Sequence, residues 1–261
     1  MVQEYEGGKG SFSGSLISHR RGRFAALSVG ASYEGGQKLP RNLAFKRAAH
    51  KEISERLLAN PHIQRIAGYA SEGFAYYFPK SYHHVCTQLR TLHRMFPHLR
   101  WPFLNSIYTG VTFNFGPKTV SLEHNDYSNY PTAPCSITPL GCFDAAKGGH
   151  LILFDLGVFV QLPAYRTALI SSAGLRHGNT PVCSGEIRLS FTQWIVGGLM
   201  RMAAYGRPAG KVTDVERRQL EAETDEGWEA QAGRLSNWLE LDADREAVYR
   251  AEREYNSSRG A

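Results

Sequence analysis

Three residues, two histidines and an aspartate, have the types and the spacing of a metal site. His124 and Asp126 stand two positions apart at the end of a predicted strand, TVSLEHND. Side chains at i and i+2 of a strand point the same way, so both can reach one ion. Because a His-x-Asp pair often arises by chance, a further ligand is needed from elsewhere. His177, in a turn between Gly174 and Gly178 after the predicted strand RTALISS, is the leading candidate.

Two histidines and one carboxylate form a donor set typical of non-haem Fe(II). Such a set leaves positions open on the ion for a bidentate cosubstrate and for O2. Zinc prefers four-coordinate sites, often with more histidine or cysteine ligands. A zinc hydrolase on a similar barrel is therefore the disfavoured alternative, since no fourth ligand and no general base is evident in the sequence.

An arginine on a polar strand face is the second feature with chemical content. In the predicted strand EIRLSFTQWIV, the polar face consists of Arg188, Ser190, Thr192 and Trp194. A buried guanidinium needs a partner. The far carboxylate of a dicarboxylate cosubstrate would accept its paired N–H groups, with Ser190 adding a donor. The alternative is an internal ion pair with Asp144 or Asp155.

The elements that must position these residues are mostly short strands. Between residues 105 and 196, short apolar or alternating segments are separated by glycine, proline and asparagine, as in antiparallel sandwiches and barrels. Before them, residues 40–60 and 81–96 have helical spacing and end at Pro61 and Pro97. We therefore predict an α+β protein: a double-stranded β-helix (jelly roll) with supporting N-terminal helices and a C-terminal helical appendage.

The chain is predicted to have three parts. Residues 1–39, rich in Gly and Ser, are expected to form a flexible basic arm with one strand near residues 24–29. Residues 40–200 form the jelly-roll domain with its supporting helices. Residues 201–261 form the helical appendage, in which the sequence TDVE at 213–216 has the form of a capping box.

Composition and charge limit the classes of protein. The apolar content of 42% and charged content of 21% are ordinary for a globular chain, and no apolar run approaches the roughly 20 residues of a membrane helix. The start lacks the apolar stretch of a secretory signal. The cysteines have no CxxC spacing, which argues against a structural zinc site or a disulfide framework and for a reducing compartment. They are Cys86, Cys135, Cys142 and Cys183.

Positive charge is concentrated in the first hundred residues. Residues 1–100 carry 15 Lys/Arg against 6 Asp/Glu, residues 101–200 carry 5 of each, and residues 201–261 carry 10 against 13. A polyanionic partner would therefore meet the N-terminal part first. The alternative is a solvated basic surface without a partner.

Five motifs together resemble the TET/JBP family of Fe(II)- and 2-oxoglutarate-dependent nucleic-acid oxygenases, most nearly its short fungal members. The resemblance covers roughly residues 110–196, with a weaker match in SVGASYEGGQKLPRNL at residues 28–43. It implies Fe(II), 2-oxoglutarate and O2 as cofactors, and oxidation of 5-methylcytosine in DNA to 5-hydroxymethylcytosine or further. The motifs are GVT at 110–112, HNDYSN at 124–129, GGHL at 148–151, HGNTP at 177–181 and RLSFTQW at 188–194.

The resemblance implies a role for each matching residue of the iron site. The three candidate ligands named above, His124, Asp126 and His177, match the iron ligands of the family. Arg188 and Ser190 match its 2-oxoglutarate-binding residues. His150 matches a histidine that contacts the same cosubstrate, although a histidine packed in the core is the alternative for this position.

The resemblance also implies which residues contact the substrate. Asn129 matches the residue that reads the flipped cytosine, and Trp194 matches the aromatic residue that stacks on it. Tyr127 is the third candidate substrate contact. The alternatives are a turn-forming asparagine and a core tryptophan. Val196 departs from the family pattern, because the animal enzymes have a base-reading histidine there.

Contact with DNA must come from the basic N-terminal residues, because the cysteine-rich region of the animal enzymes is absent. The expected partner is double-stranded DNA with a methylated base that flips out of the duplex. No membrane contact is expected, and the chain is predicted to be a monomer in the nucleus. The alternative role of Arg20, Arg21 and Arg23 is to keep this segment soluble. The candidate DNA contacts are Arg20, Arg21, Arg23, Lys38 and Arg41.

Two other classes of function stay open at this point. One is the same chemistry on a different substrate: N6-methyladenine, RNA or a protein side chain. The other is a catalytically silent nucleic-acid-binding module that keeps the fold.

Overall fold

The computed structural model describes residues 1–33, 36–206 and 213–257. Its strands form a six-stranded sheet and a three-stranded sheet, and all ladders between strands are antiparallel. In chain order the strands are β1 (Ala26–Ser32), β2 (Arg41–Asn42), β3 (Gly110–Asn114), β4 (Cys135–Cys142), β5 (Leu151–Leu153), β6 (Val158–Val160), β7 (Ala168–Ile170), β8 (His177–Asn179) and β9 (Ile187–Trp194). The larger sheet has the order β2-β1-β3-β9-β4-β7, and the smaller has the order β6-β5-β8.

The helices precede and follow the strand-rich part of the chain. They are α1 (Val2–Gly8), α2 (Ala48–Ala59), α3 (Pro61–Tyr77), α4 (Pro79–Met95), α5 (Gly197–Tyr205), α6 (Asp214–Glu223), α7 (Trp228–Gly233) and α8 (Leu241–Ser257). Within the described residues, none has the combination of length and hydropathy that crossing a membrane requires.

Strand alternation gives the larger sheet two chemically different faces. Phe113 of β3 and Leu189 and Phe191 of β9 pack in one apolar cluster with Ile53 and Leu57 of α2. The intervening residues of the same strands point the other way, between the two sheets. This arrangement confirms the predicted α+β class with two antiparallel sheets in a jelly-roll core, although the sheets do not close into a barrel.

The helices before the sheet differ from the sequence prediction in two respects. The predicted helix over residues 40–60 begins only at Ala48, because Arg41 and Asn42 pair with β1. Pro61, predicted as a stop, is also the first residue of α3, which was not predicted. The side chain of Asn60 accepts hydrogen bonds from the backbone N–H groups of the next helix at 3.0 and 3.3 Å, so it caps α3.

Residues 1–33, predicted from the sequence as part of a flexible arm, contain α1 and β1 and pack against the core. Its strand, β1, pairs with β3 over five residues. Phe12 and Leu27 are buried, and the ring of Tyr5 stacks on Phe115 with 5.6 Å between centroids. Apolar side chains dispersed among Gly and Ser anchor this segment to the core.

The C-terminal part is helical, as its sequence indicates. The predicted capping box is present, since Thr213 Oγ1 accepts from the backbone N–H of Glu216 at 3.2 Å. The predicted boundary at residue 200 falls inside α5, however. Leu199 and Met202 of that helix lie in the main core, so α5 belongs structurally to the jelly-roll domain.

Candidate metal centre

The three predicted metal ligands lie together. Ligand atoms of His124, Asp126 and His177 all fall within 4.8 Å of one another. The cause is a backbone bridge: His124 N donates to His177 O at 3.0 Å, and His177 N donates to His124 O at 2.8 Å. This bridge places the two histidines side by side. The predicted strand that ends at Asp126 is absent from the described residues, and the backbone N–H of Asp126 donates to Ser172 O at 2.8 Å. Their convergence is confirmed, and their role as ligands stays a prediction.

Both imidazoles are oriented for metal binding. Nδ1 of His124 lies 2.7 Å from Leu122 O, and Nδ1 of His177 lies 2.9 Å from Leu175 O. A neutral ring that donates from Nδ1 presents the lone pair of Nε2 to an ion. Burial lowers the pKa of His124 below its ordinary value, which favours that neutral form.

A cavity of about 220 Å³ opens beside these residues, between the two sheets. The polar face of β3 and β9 lines part of it. Leu151 of β5 and Asn179 of β8 contribute from the smaller sheet. The residues of β3 and β9 that line the cavity are Thr112, Asn114, Arg188, Ser190, Thr192 and Trp194.

Arg188 is buried in this cavity without a carboxylate partner among the described residues. It is 3% exposed. Its Nη1 donates to Thr119 O and Thr119 Oγ1, both at 3.0 Å, while its Nε has no hydrogen-bond partner. Burial lowers the pKa of Arg188 to about 10. The guanidinium thus has donors to spare for a bound anion.

The internal ion pair weighed as an alternative for Arg188 is not observed. Asp144 lies 3.2 Å from the Lys147 ammonium, and Asp155 lies 2.7 Å from the Arg176 guanidinium. Both carboxylates are therefore committed to other cations. This leaves the cosubstrate as the better account of the buried charge.

Asn114 belongs to the same pocket, and the sequence prediction missed it. It pairs in register with Ser190, and its Nδ2 donates to Ser190 Oγ at 3.0 Å. Its Oδ1 is buried without a partner. The alternation in GVTFNF, which puts Asn114 on the face of Thr112, was the signal that could have found it. The donor chemistry of the pocket fits Fe(II), 2-oxoglutarate and O2.

Two of the three predicted substrate contacts line the cavity. Asn129 is buried, and its Nδ2 donates to Ser172 Oγ at 2.9 Å. Trp194 is half-buried, and a Cβ at Gly110 would come within 2.6 Å of its ring, so glycine lets the indole lie close to β3. Tyr127 does not line the cavity and is 77% exposed.

His150 is not brought to the pocket. It is absent from the residues that line the cavity. Its backbone N–H donates to Thr180 Oγ1 at 2.9 Å, and its Nδ1 lies 3.2 Å from the same oxygen. The ring thus contacts the strand connection beyond β8, and its contact with the cosubstrate stays a prediction.

The predicted DNA contacts fall into two groups. Arg20 and Arg21 line the cavity, and Arg20 Nη2 lies 3.1 Å from Asp126 Oδ1. Burial lowers the pKa of Arg21, whereas the charge of Asp126 opposes that change. Arginines 20 and 21 therefore face the metal site in this structure. Arg23, Lys38 and Arg41 are exposed.

Comparisons with known proteins give structural likenesses only. No protein-family model and no curated protein sequence matches this chain. The chain is similar to NgTET1 in complex with 5mC DNA, with a TM-score of 0.44 and 16% identity over 85% of this chain and 74% of that chain. It is also similar to an oxidoreductase of the 2OG-Fe(II) oxygenase family from Burkholderia pseudomallei, with a TM-score of 0.32 and 18% identity over 65% of this chain and 67% of that chain.

These scores are too low to carry an argument about activity, which must rest on the pocket itself.

Proposed function

We propose that this chain is an Fe(II)- and 2-oxoglutarate-dependent dioxygenase that oxidises 5-methylcytosine in DNA to 5-hydroxymethylcytosine and further. One observation carries the chemistry. Arg188, buried and without a carboxylate partner among the described residues, lines the same cavity as His124, Asp126 and His177. A metal site and an anion site are thus joined in one small pocket.

The chain's own residues divide the binding work between them. The two Nε2 atoms and the Asp126 carboxylate would hold the ion on one side and leave its other positions open. Arg188 would take the far carboxylate of 2-oxoglutarate through its paired N–H groups, with Ser190 and Asn114 beside it. When bound, Fe(II) with 2-oxoglutarate and O2 supplies the oxidation of a C–H bond.

The same pocket offers two groups to a flipped base. The indole of Trp194 provides a flat apolar surface for stacking. Asn129 uses its Nδ2 on Ser172, so its Oδ1 is the atom left to accept a hydrogen bond from the cytosine amino group. Flipping costs a few kcal/mol, which stacking and this hydrogen bond would offset.

Support for a DNA substrate comes from charge. The excess of Lys and Arg lies in residues 1–100, and exposed Arg23, Lys38 and Arg41 are free of the metal site. Exposed basic side chains of this kind contact phosphates without reading sequence. A nuclear location follows from such a substrate, and a monomeric state is part of the same proposal.

A different methylated base is the second candidate substrate. Val196, where the animal enzymes have a histidine, is buried and bridged to Asn129. The pocket therefore lacks one polar group that reads cytosine in those enzymes. N6-methyladenine, RNA and a protein side chain are accordingly tested beside 5-methylcytosine.

Product analysis tests the proposal. The purified protein is incubated with Fe(II), ascorbate, 2-oxoglutarate and duplexes that carry 5-methylcytosine, N6-methyladenine or neither, with matched RNA and peptide arms. Digested nucleosides and peptides are then weighed. We expect 5-methylcytosine to gain one oxygen atom while succinate forms. Formation of succinate without an oxidised cytosine would refute 5-methylcytosine as the substrate. No consumption of 2-oxoglutarate in any arm would favour a catalytically silent binding module.

A further inference from the structure

A buried cluster of polar residues ties the C-terminal helices to the jelly-roll domain. Glu226, between α6 and α7, has a side chain that is only 1% exposed. Its Oε2 accepts a hydrogen bond from the Tyr130 hydroxyl at 2.9 Å. Its Oε1 lies 3.0 Å from His84 Nε2 and 3.2 Å from Arg234 Nη1. Arg234 also donates to the hydroxyl of Tyr130.

Tyr130 is the last residue of the segment that carries two functional candidates. This site segment, residues 126–130, begins with Asp126 and includes Asn129. Its ends are held by backbone hydrogen bonds, from Asp126 N to Ser172 O at 2.8 Å and from Tyr130 N to Ile195 O at 2.9 Å. The position of the Tyr130 ring therefore helps to set where the adjacent Asn129 amide points.

We propose that Glu226 is a positioning residue for the substrate side of the pocket. Through Tyr130 it holds the site segment so that Asn129 faces the cavity, and oxidation of the substrate thereby depends on the C-terminal helices. This inference rests on the proposed function for the identity of the substrate. It assigns Glu226 and Tyr130 no contact with substrate or cofactor.

Attachment of the C-terminal helices alone does not explain the cluster. Elsewhere, Glu252 of α8 lies 2.6 Å from Arg90 and 3.0 Å from His83, both on α4. These exposed or half-buried pairs hold α8 without touching the site segment. A buried ion pair contributes little net stability because both charges lose water. What the buried cluster adds is a fixed geometry at Tyr130.

Burial alone would raise the pKa of Glu226, but His84, Arg234 and Tyr130 hold it below its ordinary value. Glu226 is therefore ionised at neutral pH. An ionised acceptor makes a stronger hydrogen bond to the Tyr130 hydroxyl than a neutral one does. Loss of the Glu226 charge or of the Tyr130 hydroxyl should therefore loosen the site segment.

Two variants remove this link in different ways, and a third is the matched control. Tyr130→Phe removes one hydroxyl and keeps the buried ring. Glu226→Gln keeps the shape and removes the charge. Glu252→Gln weakens an ion pair between the same two parts of the chain, but at a distance from the site segment. Melting temperatures establish that all three proteins are folded.

Amide hydrogen exchange of the ligand-free protein is the first measurement. In Tyr130→Phe and Glu226→Gln we expect the backbone amides of residues 126–130 to exchange about tenfold faster, the factor expected for losing one hydrogen bond to a charged group. Glu252→Gln should leave these amides unchanged. Faster exchange of this segment in all three variants, or in none, would overturn the positioning role.

Coupling of the two half-reactions is the second measurement. With methylated duplex, the two cluster variants should form roughly tenfold less oxidised base per succinate, by the same hydrogen-bond reasoning. Succinate formation without DNA should fall less than base oxidation does, since neither variant substitutes a metal or cosubstrate residue. Undiminished coupling in Tyr130→Phe and Glu226→Gln, beside a wild type that oxidises the base, would refute the positioning role alone. A wild type that oxidises no base would instead refute the proposed function, and the exchange measurement would still decide the role of Glu226.

Discussion

Arg188 is buried and Arg234 is half-buried, and the surroundings of the two arginines differ. Arg234, with a side chain 11% exposed, lies 3.2 Å from the carboxylate of Glu226. Arg188 is buried more deeply, and its described side-chain hydrogen bonds go to Thr119. No carboxylate of the described residues pairs with it. One guanidinium has a counter-ion in the chain, whereas the other has none within residues 1–33, 36–206 and 213–257.

This difference supports the proposed roles of the two arginines, a structural role for Arg234 and a ligand-binding role for Arg188. Removing a charge from water costs several kcal/mol, and a paired opposite charge offsets much of that cost. For Arg234 the offset comes from Glu226. No carboxylate of the described residues offsets this cost for Arg188, and the lowered pKa of about 10 reflects its burial. Under the proposed function, bound 2-oxoglutarate supplies the opposite charge.

Loss of a metal ligand should have the largest effect on activity and little on the fold. We expect His124→Ala, Asp126→Ala and His177→Ala each to lower turnover more than about 100-fold, because loss of a mere supporting partner of a metal ligand already costs about 10–100-fold. Succinate formation and thermal melting are the measurements. Near-normal succinate formation in a folded variant would remove that residue from the metal site.

Replacement of Arg188 should have the next largest effect on activity. A lysine cannot supply two parallel N–H donors, so Arg188→Lys should raise the 2-oxoglutarate concentration required by about tenfold to a hundredfold. Arg188→Met should abolish binding of 2-oxoglutarate and leave the ligand-free protein at least as stable, because a buried charge without a partner is removed. Titration of 2-oxoglutarate and chemical unfolding measure the two effects.

Arg234→Met is the matched substitution at the paired site. It should lower the free energy of unfolding by about 3–5 kcal/mol, because it leaves the buried Glu226 without its arginine partner. The two methionine variants should therefore move stability in opposite directions. If both destabilise the ligand-free protein equally, the distinction between the two arginines is wrong.

Loss of the stacking surface should weaken oxidation of DNA without abolishing cosubstrate turnover. Trp194→Ala should reduce base oxidation by roughly tenfold to a hundredfold, from the 1–3 kcal/mol that stacking contributes per base in single-stranded binders. Asn129→Ala should act in the same direction. Because Trp194 also packs against the core, the melting temperature of the Trp194→Ala protein is measured first. Loss of succinate formation in a folded Trp194→Ala protein would place the residue at the iron site instead.

The smallest effect should be the pH dependence of the stability that Glu226, the partner of Arg234, contributes. The pKa of Glu226 lies below its ordinary value of 4.5. Its contribution to stability is therefore complete above that value and is lost as the pH falls through the lower folded pKa. The free energies of unfolding of wild type and Glu226→Gln should differ at pH 7, and the difference should shrink as the pH falls below 4.5. A difference that stays constant with pH would show that the Glu226 charge does not stabilise the fold.

The sequence by itself determined which chemistry the chain offers. The i, i+2 spacing of Arg188 and Ser190 places both side chains on one side of β9. His124 and Asp126 have the same spacing in a segment outside the strands, which keeps the two candidate ligands close together. Proline and capping residues likewise marked helix ends near Asn60 and Thr213. These features were predictable because they depend on backbone periodicity over a few residues.

Only the tertiary structure decided which distant groups meet. The bridge that sets His177 beside His124, the separation of His150 from the cavity, and the contact of Tyr130 with Glu226, 96 positions away, all arise from packing between segments. The same holds for Arg188, whose lack of a carboxylate depends on where Asp144 and Asp155 find their own partners. Sequence spacing fixes the direction of a side chain, but its partner across the core depends on how the sheets and helices pack.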